Sequence, residues 1–160
     1  MSESSTSGSQ RSGPLGRFTR RSRTGIPLWV NVMQAVLILI MAVQVFENYF
    51  DHDALISAGI TNVEGDPNLN FIYEMGARLF VMVVASVYVM ITQDPRQYLV
   101  VLIMNVAREA QEGIIDPLWP VADAPSSPLV DFLIHVVIVA IEVAALVTVY
   151  RLVKREKAVA

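Results

Sequence analysis

Cysteine is missing from the 160 residues. Its absence excludes disulfide frameworks, thiolate metal sites, CxxC redox chemistry and cysteine nucleophiles, and it leaves the redox compartment open. Charge is scarce as well: Asp, Glu, Lys and Arg supply 17% of the chain against 54% hydrophobic residues, too little to clothe a water-soluble domain of this size. Segments of period-two alternation are absent, which excludes a membrane β-barrel. The chain also lacks a phosphate-binding glycine loop, a nucleophile arrangement and a cofactor motif, so no cofactor is expected. With a net charge of only −3, nothing calls for a nucleic-acid partner. What the sequence has instead is long apolar runs, and these need a non-aqueous solvent.

The runs predict an all-α, polytopic membrane protein built as a bundle of four transmembrane helices within residues 25–153. The expected spans are 26–50, 71–92, 95–116 and 129–150, each near the 20 residues that a bilayer requires. Residues 1–24, rich in Ser, Gly and Arg, read as a disordered basic tail, and 154–160 as a short second tail. Pro27 opens the first span where its missing N–H costs nothing. Asp51 to Asn70 reads as an exposed loop with a helical turn near 54–58. Asp94-Pro95 supplies a cap and a first-turn proline, making spans two and three a tight hairpin. Pro117, Pro120, Pro125 and Pro128 break the last connection, and Ser127 caps the fourth span.

Basic residues set the expected orientation. Arg11, Arg17, Arg20, Arg21 and Arg23 precede the first span, Arg96 lies in the hairpin, and Arg151, Lys154, Arg155 and Lys157 follow the fourth, while the first and third connections have none. The positive-inside rule then puts both termini in the cytoplasm of a multi-pass cell-membrane protein. Aromatic residues are expected at the same boundaries: Trp29, Tyr98 and Tyr150 inside, Tyr49, Tyr73 and Trp119 outside.

Two arginines remain, Arg78 and Arg108, both inside expected spans. They are accompanied by Glu74, Glu109, Glu112, His135 and Glu142, with Asp116 and Asp131 at the outer boundary. A charge at mid-membrane on an isolated helix costs roughly 2.5–3.5 kcal/mol, so these side chains must face the bundle interior or a wet cavity. Glu74 and Arg78 share a face four residues apart. Asn105, Arg108, Glu109, Glu112 and Asp116 fall within about 100° of arc, and Asp131, His135 and Glu142 within about 40°. One shared polar cluster in the outer half of the bundle follows, with Arg108 paired to Glu112 and Glu109 pointing about 100° away. Internal salt bridges, Glu74 with Arg78 and Arg108 with Glu112, could serve only to fix helix register, with His135 hydrogen-bonded to a neighbouring acid. The surplus of carboxylate over arginine still has to be protonated, hydrated or matched by His135 or a cation. A metal site is not expected, because the paired Glu-x-x-His helices of di-metal bundles are missing. Ala140 and Ala144 read as a close helix contact.

The stretches Asp94-Pro95-Arg96, Gly113-Ile114-Ile115-Asp116 and Phe132-Leu133-Ile134-His135-Val136-Val137-Ile138 resemble the second half of BphX-like small membrane proteins, and more broadly DoxX-like four-helix proteins. The resemblance covers roughly residues 71–150. It implies a four-helix membrane fold, association with aromatic-degradation or redox membrane systems, and no catalytic residues. Three functions compete. The least demanding is a non-enzymatic membrane component that binds a partner protein, a second copy of itself or a lipophilic ligand. The others are a proton-coupled carrier using Glu109, Glu112, Glu142 and His135, and an intramembrane enzyme with His135 or a glutamate as acid or base. A wide cavity reaching Glu142 would favour the carrier, a lateral opening to lipid the enzyme, and a closed, paired cluster the structural role.

Overall fold

The structure, a computed structural model, describes residues 25–57, 69–119 and 127–159. The expected disordered tail at 1–24 and the middles of the first and third connections lie outside the described residues. Within them five helices follow one another: α1 Leu28–Phe50, α2 His52–Ser57, α3 Leu69–Thr92, α4 Pro95–Leu118 and α5 Pro128–Val159. No strand occurs among the described residues.

Local chemistry explains the boundaries. Asp94 accepts a hydrogen bond from the Arg96 N–H at 2.8 Å, capping α4 with Pro95 in its first turn. Gln93 adopts a left-handed backbone, φ 53°, to turn α3 into α4. Ser127 Oγ accepts from Val130 N–H at the start of α5, and Asp51 does the same for Ala54 in α2. Two helices extend beyond the expected spans. Pro117 does not end its helix, which runs one residue further to Leu118 and closes with the Trp119 N–H donating to Ile115 O at 2.8 Å. The helix also runs past the expected end of the last span at 150: most of Arg151–Lys157 are good helix formers, and α5 continues as one helix of 32 residues.

Three helices, α1, α3 and the 128–158 stretch of α5, are long and apolar enough to cross a membrane. Their outward faces carry large bare hydrophobics such as Leu39, Phe80, Val81 and Val137, a surface that water does not tolerate over such an area. The chain is thus an all-helical protein that its three apolar helices mark as membrane-embedded. Helix α4 is as long as α3 but carries Arg96, Arg108, Glu109, Glu112 and Asp116.

The long helices pack as two pairs, α1 with α3 and α4 with α5, and α3 touches α4 much less. Where α3 turns into α4, the hairpin end, all four meet in one core of Ile26, Val30, Val89, Tyr98, Leu102, Ala145 and Val149. Tyr98 is fully buried there and donates to Asn31 Oδ1 at 3.1 Å, so it is a core residue and not part of the expected aromatic belt. Asn31 and Gln93 exchange amide hydrogen bonds at 3.1 and 3.0 Å. Toward the opposite end the apolar core narrows to Leu37, Met41 and Leu79. There Gly76 lets α3 approach α1: a Cβ on it would lie 3.0 Å from Asn48 Cβ and from the Tyr49 ring. Ala140 and Ala144 are exposed, so the small-residue contact expected of them is not made within this chain.

Candidate functional site

The polar stripe of α4 forms as its spacing demands. Asn105, Glu109 and Gly113 are buried and Arg108, Glu112 and Asp116 half-buried, while Val100, Ile103, Ile114 and Ile115 face outward. The stripe packs on α5 at Gly113, where a Cβ would meet His135 Cβ at 3.1 Å. A methyl group there would require His135 to give by a few tenths of an ångström.

A chain of charged groups results. Arg108 binds Glu112 Oε1 at 3.0 Å through Nη1 and pairs with Glu109 Oε1 through Nη2. The angle of about 100° between the helical directions of Arg108 and Glu109 does not keep their side chains apart. A long guanidinium fork spans the two carboxylates, whose Cα positions differ by about 60° around the helix, because its two Nη groups diverge. The other oxygen of Glu109 meets His135 Nδ1 at 2.9 Å. His135 Nε2 faces Asp116 Oδ2 at 3.2 Å and Asp131 Oδ2 at 3.9 Å. A neutral imidazole can donate to one of these neighbours and a protonated one to two.

The remaining predicted residues are placed differently. Glu74 and Arg78 pair at 3.2 Å, but with side chains 53% and 73% exposed and Asn70 donating to Glu74. They do not join the buried cluster; near the start of α3 long polar side chains can extend toward headgroups and water. Glu142 is completely buried, and neither carboxylate oxygen has a hydrogen-bond partner within the protein. It lies within electrostatic reach of Glu109, Arg108 and Glu112 without touching them through any hydrogen bond.

Sequence reasoning missed a second polar layer. Gln34 of α1 and Ser86 of α3 are fully buried, and Asn105 donates to Gln34 Oε1 at 3.3 Å. Gln34 Nε2, Ser86 Oγ and Asn105 Oδ1 have no further partner within the protein. A lone Gln or Ser in an otherwise apolar run was the available signal.

Among the described residues two trios bring ligand-type atoms within 4.8 Å of one another, Glu109–Glu112–His135 and Asp116–Asp131–His135. These are the residues that could hold a metal. They share one imidazole, and the first trio already neutralises Arg108.

Beside the ion network, between α1, α3 and α4, lies a cleft of about 620 Å³. Met75, Leu79, Met82 and Met104 line its apolar part, and Arg78, Arg108, Glu112 and Asp116 its polar part, with Gln44 and Gln111. The volume falls in the range of small-molecule sites, which pair apolar walls with a few convergent polar groups. Glu142 is not among its walls.

Fold and site together define a membrane-embedded helical protein with an ion network flanking an amphipathic cleft. Searches against protein-family models, curated proteins and solved structures find no match to the chain.

Proposed function

We propose that the chain is a non-enzymatic membrane component that spans the bilayer four times, with both termini cytoplasmic, and binds a lipophilic ligand in the cleft between α1, α3 and α4. The cleft carries this reading. Its apolar walls suit a hydrophobic body and its charged end a polar head, and α1, α3 and α4 each supply part of the lining.

Helix α4 is the fourth span because its charges are turned inward against α5 and the cleft, so lipid meets only its apolar face. The distribution of Lys and Arg over the connections supports the orientation. The ion network sits within the membrane, where it fixes the register of α4 on α5 and presents Glu112 and Asp116 to the ligand. The resemblance to BphX-like and DoxX-like proteins accords with a four-helix fold that carries no catalytic residues. A proton-coupled carrier is the second reading, favoured by the buried, unpartnered Glu142 and weakened by the separation of that residue from the cleft.

The test is native mass spectrometry of the protein released from lipid nanodiscs. The wild type should retain a small lipophilic molecule that Met104→Trp and Met75→Trp, both placed on exposed parts of the lining, exclude at unchanged thermal stability. Identical ligand-free spectra for all three would sink the reading.

A further inference from the structure

Resting on the cleft as a ligand site, we infer that its occupant is a lipophilic organic cation, such as an alkyl- or arylammonium ion, bound against Glu112 and Asp116. The argument is one of charge. Arg78 is matched by Glu74 at 3.2 Å, so that pair contributes no net charge to the cleft. Arg108 spends both Nη groups on Glu109 and Glu112. Around the polar end of the cleft stand four carboxylates, Glu109, Glu112, Asp116 and Asp131, against Arg108 and His135. A charged imidazole would still leave two of them uncovered.

The uncovered charge is presented on the cleft side. Glu112 and Asp116 both line the cleft with side chains 37% and 36% exposed, whereas Glu109 is sealed behind them at 6%. A low-dielectric surrounding lengthens the reach of that charge.

A membrane-embedded pocket also selects how the cation is solvated. A compact, strongly hydrated ion loses most by leaving water, while a cation whose charge is shielded by hydrocarbon loses least. Three methionines, Met75, Met82 and Met104, form much of the apolar wall. Their flexible, polarisable thioethers adapt to ligands of varied outline and interact well with aromatic rings.

Tetraphenylphosphonium and tetraphenylborate, matched in size and opposite in charge, provide the test. Binding is measured by equilibrium dialysis against the full chain in nanodiscs of zwitterionic lipid, with empty nanodiscs subtracted. Tetraphenylphosphonium should bind saturably and at least about tenfold more tightly than tetraphenylborate, a ratio within the reach of one uncompensated charge. Glu112→Gln and, independently, Asp116→Asn should each weaken the cation about three- to tenfold and leave the anion unchanged or improved. Two carboxylates are tested separately so that misfolding of one variant does not decide the outcome. Met104→Trp should weaken both probes. Preference for tetraphenylborate, with the Met104→Trp effect intact, would overturn the charge inference while the cleft reading stood. Absence of saturable binding for either probe, or no effect of Met104→Trp, would overturn both.

Discussion

Removing Arg108 tests the ion network most directly, because the two glutamates it holds differ in burial. Glu112 is 37% exposed, and its 3.0 Å pair with Arg108 is discounted by solvent to about 0–1 kcal/mol. Glu109 is 6% exposed, and breaking a buried pair by deleting one partner costs about 3–5 kcal/mol. His135 Nδ1, 2.9 Å away, still faces Glu109 in the variant, which puts Arg108→Ala near the lower bound, about 3 kcal/mol. Second-site changes separate the two contributions. Arg108→Ala with Glu109→Gln should recover about 2 kcal/mol by removing the stranded buried charge, and with Glu112→Gln less than about 1. Reversible unfolding in mixed micelles reads these differences, with Arg78→Ala as the exposed-pair control expected within about 1 kcal/mol of wild type. The reasoning fails if Arg108→Ala is no less stable than Arg78→Ala. It fails equally if Glu112→Gln rescues better than Glu109→Gln.

Three further outcomes are expected. In the cysteine-free background, a single cysteine at Ser57 should react with an impermeant maleimide on intact cells and one at Ser9 should not; the reverse would invert the orientation. Glu142→Leu, which removes a buried carboxyl whose oxygens have no hydrogen-bond partner, should raise unfolding stability by about 1–3 kcal/mol, and a loss would reveal a counter-ion or water at that carboxyl. Gly113→Ala should cost about 1–3 kcal/mol by forcing α4 from α5, seen in the same unfolding assay, whereas a neutral effect would mean that the 3.1 Å approach to His135 relaxes freely.

The helices were readable because their signals are local. Long apolar runs, the Asp94-Pro95 cap and the Ser127-Pro128 start each act within a turn of chain. The stripe on α4 was readable too, since helical periodicity alone puts Asn105, Glu109, Glu112 and Asp116 on one face. What escaped depends on neighbours far along the chain or on side-chain reach. Periodicity measures directions at Cβ and says nothing of a guanidinium several bonds further out, so Glu109 was assigned away from Arg108. Tyr98 sits at a depth suited to an interface aromatic, yet Asn31, 67 residues earlier, supplies a buried acceptor for its hydroxyl. Glu74 and Arg78 share a face at helical spacing, but periodicity does not show that the pair stays exposed, with Arg78 at the cleft and neither residue bonded to the Arg108 network. Gln34 and Ser86 were overlooked because a lone polar residue barely lowers the hydropathy of a long run.

The clasp formed by Asn31, Gln93 and Tyr98 gives the division into two helix pairs a mechanical meaning. It pins α1 and α3 to α4 at the hairpin end, where the shared apolar core also lies, while the cleft occupies the space between α3 and α4 farther along. The molecule has the form of tongs held at the pivot. A 24-residue helix is about 36 Å long at 1.5 Å per residue, so a rocking of about 10° at the clasp would sweep the far ends of the two pairs apart by about 6 Å. The three polar side chains at the pivot thus stand outside the cleft, whose nearest wall on α4, Met104, lies about 9 Å along the helix from Tyr98.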